Sequence, residues 1–67
     1  MKKRNWLINL RKEAGYKNQS QFADVVKLSK SYISEIESGN RTPSGEKAYK
    51  ISRILNFDME RFYEDAQ

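Results

Sequence analysis

The sequence predicts an all-α domain of five short helices. Three observations point to this class. Apolar residues recur at three- and four-residue spacing in separate segments, those segments are bounded by N-capping residues and glycines, and neither strand-like alternation nor any repeat or low-complexity stretch occurs in the 67 residues. A chain of this length forms a single domain, 1–67, near the lower limit for a fold stabilised by a hydrophobic core alone.

The first helix is expected from Lys3 or Asn5 to Ala14, with Leu7, Leu10 and Ala14 on its buried face and Gly15 as its terminator. Trp6 lies beside that stripe, either as a core anchor or as a partly exposed ring. Tyr16 is expected to plug the core between the first two helices. Residues 18–39, NQSQFADVVKLSKSYISEIESG, then read as two helices joined by a tight turn, with Phe22, Ala23 and Val26 on the apolar face of one and Ile33 and Ile36 on that of the other. Asn18 can cap the second helix, with Gln21 in the capping-box position, and Ser29 can cap the third. Gly39 stops the third helix, since a residue without Cβ tolerates the left-handed conformation there, and Val26, Lys27 and Leu28 form the turn. Asn40 to Ser44 is a loop by composition. Ser44 is the N-cap of a fourth helix, with Glu46 near its positive end and Ala48, Ile51 and Leu55 as its buried stripe, Ile54 beside them. Asp58 caps a short fifth helix that presents Met59, Phe62 and Tyr63 on one side.

Composition narrows the function. There is no cysteine and no histidine, which removes disulfides, thiolate chemistry and the commonest metal ligand and general base, so no metal or cofactor is expected. The acidic residues are spread over helix surfaces instead of paired in a cleft, which argues against an enzyme. MKKRNWLINLRK begins like a signal peptide, but Asn9 breaks its apolar run. No stretch approaches the roughly 18 apolar residues of a membrane span, and a cytoplasmic chain is expected. Residues 1–55 carry 12 Lys+Arg against 5 Asp+Glu, a charge of +7, whereas residues 56–67 carry one Arg against 4 acids, a charge of −3. A basic body with an acidic end suits a protein that turns one face to a polyanion.

The third helix supplies the chemistry for such a face. Lys30, Ser31 and Glu35 lie at i, i+1 and i+5, away from Ile33 and Ile36, so the polar side can enter the major groove of DNA while the apolar side holds the core. Lys30 can reach guanine O6/N7 or a phosphate, and Ser31 can donate or accept. Glu35 can accept from a cytosine N4 amino group, orient Lys30 or Arg41, or serve as a surface charge paired to a neighbour.

With these residues in place, the chain from about Leu7 to Tyr63 resembles the phage-repressor-type helix-turn-helix regulators, the Cro and xenobiotic-response-element family. LRKEAG, NQSQFADVV, LSKSYISEIESGNRTPS and KISRILNFDMERFY carry the resemblance. It implies a compact five-helix lambda-repressor-like DNA-binding domain, with the helix-turn-helix at about 18–39. In that family Gln19 would bond a DNA phosphate and brace the recognition helix. On that helix Lys30, Ser31 and Glu35 would read bases, flanked by Tyr32 and Ser34. Ser29, Asn40, Arg41 and Thr42 would meet the sugar-phosphate backbone. Arg11 and Glu37 match a partly buried ion pair that ties the first helix to the third, a scaffold element. Three positions depart from the pattern. Lys27 stands where relatives commonly have glycine, at a cost on the order of 1 kcal/mol if left-handed. Gly45 replaces a larger side chain, and one extra residue separates Gly15 from Gln19.

The resemblance implies a sequence-specific, double-stranded-DNA-binding transcriptional regulator, a nucleoid-associated repressor of prophage, mobile-element or restriction-modification controller type. A protein-interaction module or antitoxin-like partner that retains the fold is the alternative, and in either case a further protein partner is possible. One such domain covers little DNA, so a homodimer on a palindromic operator is expected. Phe57, Met59, Phe62 and Tyr63, within a segment 57–65, either form its interface or pack onto the monomer core.

Overall fold

The computed structural model describes residues 3–64. They form five helices and no strand: α1 (Asn5–Glu13), α2 (Gln19–Val26), α3 (Lys30–Ser38), α4 (Gly45–Leu55) and α5 (Arg61–Glu64). Residue 65, the end of the expected dimerisation segment, lies outside the described residues.

Each helix contributes its apolar stripe to one core. Leu7 of α1, Phe22, Ala23 and Val26 of α2, Ile33 and Ile36 of α3, Ala48, Ile51 and Leu55 of α4, and Phe62 of α5 are all buried there. Full burial of a large apolar side chain is worth roughly 1.5–3 kcal/mol, so these few residues supply most of the drive to fold. Trp6, Leu10, Tyr16, Leu28, Tyr32, Ile54, Phe57 and Met59 pack around them half-buried. The extra residue before Gln19 is absorbed in a connector tied back to α1, since Tyr16 N donates to Arg11 O (3.1 Å) and the Tyr16 ring lies 5.5 Å from that of Phe22.

The capping chemistry of the two central helices follows the expected pattern. Asn18 Oδ1 accepts from Gln21 N at 2.9 Å while Gln21 Oε1 accepts from Asn18 N at 3.4 Å, closing the capping box. Ser29 Oγ accepts from Tyr32 N at 3.0 Å. Lys27 ends α2 in the left-handed conformation (φ 63°), so the lysine occupies a strained geometry that glycine, having no Cβ, adopts freely.

The structure corrects several expectations. Val26 is the last residue of α2 and fully buried, so the turn begins at Lys27. Ala14 is exposed just beyond α1, and Arg11 takes the buried place one turn after Leu7. Ser44 precedes α4 with extended backbone, yet its side chain makes no capping bond. Gly45 follows it at φ +54°, a left-handed residue where a regular helix would begin. A Cβ there would meet nothing within 4 Å, so backbone conformation rather than space explains the glycine. Asp58 does not cap a helix directly. Its Oδ1 accepts from Glu60 N (3.0 Å) in a turn that precedes the single turn of α5.

Candidate nucleic-acid interface

The burial of Ile33 and Ile36 fixes the rotation of α3 and leaves Lys30, Ser31 and Ser34 exposed on the opposite side. These three, with Glu35 and with Gln19 from the start of α2, line one open groove of about 510 Å³. Four of the five base-reading candidates and one backbone candidate thus share a surface. Tyr32 is outside that lining. It sits on the other flank of α3, with Arg41 and Lys47 over its ring at 5.7 and 5.4 Å. A smaller depression of about 370 Å³ shares Gln19 and Ser34 with the groove and adds Lys3 and Lys12 from the α1 side.

Behind the groove is a buried polar network. Arg11 Nε donates to Glu37 Oε2 at 2.7 Å, and both side chains are almost wholly inaccessible. Arg11 Nη1 donates to Tyr16 O (2.9 Å), and Gln19 Nε2 donates to Glu37 Oε1 (3.0 Å). Both carboxylate oxygens are therefore engaged, which offsets the desolvation of the charges. The same contacts join α1, α2 and α3 at one point. The second Nε2 hydrogen of Gln19 remains to meet an acceptor in the groove.

The loop after α3 carries Asn40, Arg41 and Thr42, all exposed. Arg41 Nε donates to Glu35 Oε1 at 2.7 Å, so Glu35 is paired with Arg41, one of the arrangements open to it from sequence. That hydrogen bond, with the charge of Glu35, raises the Arg41 pKa above its ordinary value. Burial raises the Tyr32 pKa despite the nearby Arg41 charge, and the ring remains a neutral phenol at physiological pH. The oxygen of Ser29 is engaged as the α3 cap, as described.

Arg4 is a positioning residue that sequence reasoning missed. It is buried, and its Nη1 donates to Ile36 O (2.6 Å) and Arg41 O (2.9 Å) while Nη2 donates to Thr42 Oγ1 (2.9 Å). Its backbone N donates to Glu37 O at 2.8 Å, and its guanidinium lies 5.5 Å from the centre of the Phe62 ring. A cation at a helix C-terminus satisfies carbonyls left without intrahelical partners and complements the dipole, and here it also fixes the path of the following loop.

Among the aromatic residues near the C-terminus, Phe62 is fully buried within the chain, which fits packing rather than contact with a second copy. Its ring centre lies 5.4 Å from that of Phe57 and 5.6 Å from that of Trp6, and Arg61 stacks on Trp6 at 4.5 Å. Phe57 and Met59 are half-buried, and Tyr63 is exposed.

Comparison with known proteins agrees with the helix-turn-helix fold. A family model described as helix-turn-helix matches residues 7–62. A protein of Bacillus subtilis (strain 168), the uncharacterized HTH-type transcriptional regulator YqaF, is 37% identical over 62 residues, covering 92% of this chain and 80% of the relative. No solved structure matches the chain significantly.

Proposed function

Because the chain belongs to the Cro/C1/XRE-type helix-turn-helix family of transcriptional regulators, we propose that it is a repressor that binds duplex DNA as a homodimer and occludes a promoter. One observation carries the reading of the DNA face: the groove that places Gln19 beside Lys30, Ser31, Ser34 and Glu35 on the side of α3 turned away from the core. In this reading Lys30, Ser31, Ser34 and Glu35 face base edges. Gln19, Ser29, Asn40, Arg41 and Thr42 face the backbone, and the Arg11–Glu37 pair holds the frame. Tyr63, with the accessible parts of Phe57 and Met59, contributes to the dimer contact. No described helix is long and apolar enough to cross a membrane, and a cytoplasmic, DNA-associated protein is part of the proposal. The relative's name, a transcriptional regulator, supports the same class.

The test is selection of bound sequences from a random duplex library by the purified protein at physiological salt. An inverted repeat with half-sites about one helical turn (about 34 Å) apart is expected. A folded protein that enriches no sequence would overturn the proposal.

A second reading, a protein-interaction module, draws support from one contact: Glu35 neutralises Arg41 on the face that would meet phosphates. Lys30→Glu separates the two, since DNA binding is lost if α3 reads the groove and unaffected if another face is the working one.

A further inference from the structure

We propose that Lys47 and Arg41 form a phosphate-binding pair held on the ring of Tyr32, and that Tyr32 is the platform of this pair and not a reader of bases. The inference rests on the DNA-binding reading above and adds a contact, Lys47, that neither the motif nor the groove suggests.

Two cations share one ring. The Arg41 guanidinium lies 5.7 Å and the Lys47 ammonium 5.4 Å from the Tyr32 centroid, within the range in which the ring quadrupole attracts a positive charge. A tyrosine phenol is neutral at physiological pH, so the ring supplies that attraction without contributing a charge of its own. The only carboxylate bonded to either cation among the described residues is Glu35, engaged through Arg41 Nε. The cluster therefore keeps a surplus positive charge, and two like charges held at one ring are most stable with an anion between them. Lys47 and the terminal nitrogens of Arg41 remain available to donate to it.

Position identifies the anion. Tyr32 is in the first turn of α3, Arg41 in the loop after it, and Lys47 in the first turn of α4. An α-helix nearly fills a major groove about 12 Å wide, so the sugar-phosphate strands run along its flanks. The Tyr32 cluster stands on the flank of α3 outside the base-facing groove, where a phosphodiester would pass. The ring that holds both cations is spent on them.

The experiment measures affinity against salt concentration for the duplex that the wild-type protein selects. Lys47→Ala is expected to reduce the log-log slope by about 0.9 and to weaken binding about five-fold at 0.15 M salt, equally for matched and mismatched duplexes. Lys47→Arg should restore both. Arg53→Ala is the control, since Arg53 also stands over a tyrosine ring, that of Tyr49 (5.8 Å), but towards the far end of α4, and its slope should match the wild type. Tyr32→Phe should leave slope and base preference unchanged, whereas Tyr32→Leu should reduce the slope. A Lys47→Ala slope equal to wild type overturns the phosphate pair while leaving the DNA-binding reading intact. A change of base preference in Tyr32→Phe overturns the platform role. Absence of wild-type binding to any duplex overturns both readings together.

Discussion

Glu37 accepts from Arg11 on one oxygen and from Gln19 on the other while almost fully buried. Glu37→Ala leaves the Arg11 guanidinium in the interior without its partner. A loss of about 3–5 kcal/mol is expected, checked by chemical denaturation. Lys27 is a contrasting residue, strained instead of satisfied. Lys27→Gly removes the left-handed penalty at φ 63° and should raise stability by about 1 kcal/mol in the same assay, partly offset by the greater freedom of glycine in the unfolded chain. The two residues also differ in how they could be recognised. Glu37 and Arg11 were legible because the motif places them together, and Lys27 because a turn position demanded glycine. Arg4 carried no such mark. It sits in a run of basic residues and acts across 32 positions on the carbonyl of Ile36, a contact that no local pattern encodes.

Helices were legible where spacing and capping agree and less so where the backbone bends away from helical geometry. At α2 the side chain of Asn18 closes a capping box, and Asn18→Ala should cost about 1 kcal/mol of stability. At α4 the residue type is equally favourable, but Ser44 makes no capping bond and Gly45 is left-handed, so Ser44→Ala should leave the thermal midpoint nearly unchanged. Measuring the two variants side by side tests whether geometry or residue type decides the effect. The stripe of α4 and the polar face of α3 could be read from their periods. The extent of α5 could not, since four residues carry too little periodicity to separate a helix from the Asp58 turn that precedes it.

For the whole molecule, the proposed function needs a dimer, since one small domain with one DNA-facing helix covers too little DNA for tight specific binding. Tyr63 is the exposed aromatic at the proposed contact, so Tyr63→Ser should shift sedimentation towards the monomer with little change in the unfolding midpoint. Phe62→Ala, by contrast, should destabilise the monomer by about 3–5 kcal/mol, since its ring is wholly interior. The sequence identified this aromatic group but could not divide it between core and surface, because alternate members of one short turn differ in environment only once α1 packs beside them.

That packing makes the protein its own optical reporter. Trp6 is the single tryptophan of the chain, and its ring touches the rings of Phe57 and Phe62 and the guanidinium of Arg61. Its fluorescence therefore reports on the junction between the first helix and the C-terminal segment that carries Phe57 and α5. If α5 shifts when two copies separate on dilution, the emission maximum moves to the red in step with dissociation. If the maximum is constant across the same concentrations, α5 keeps its seat on Trp6 whether or not a second copy is present.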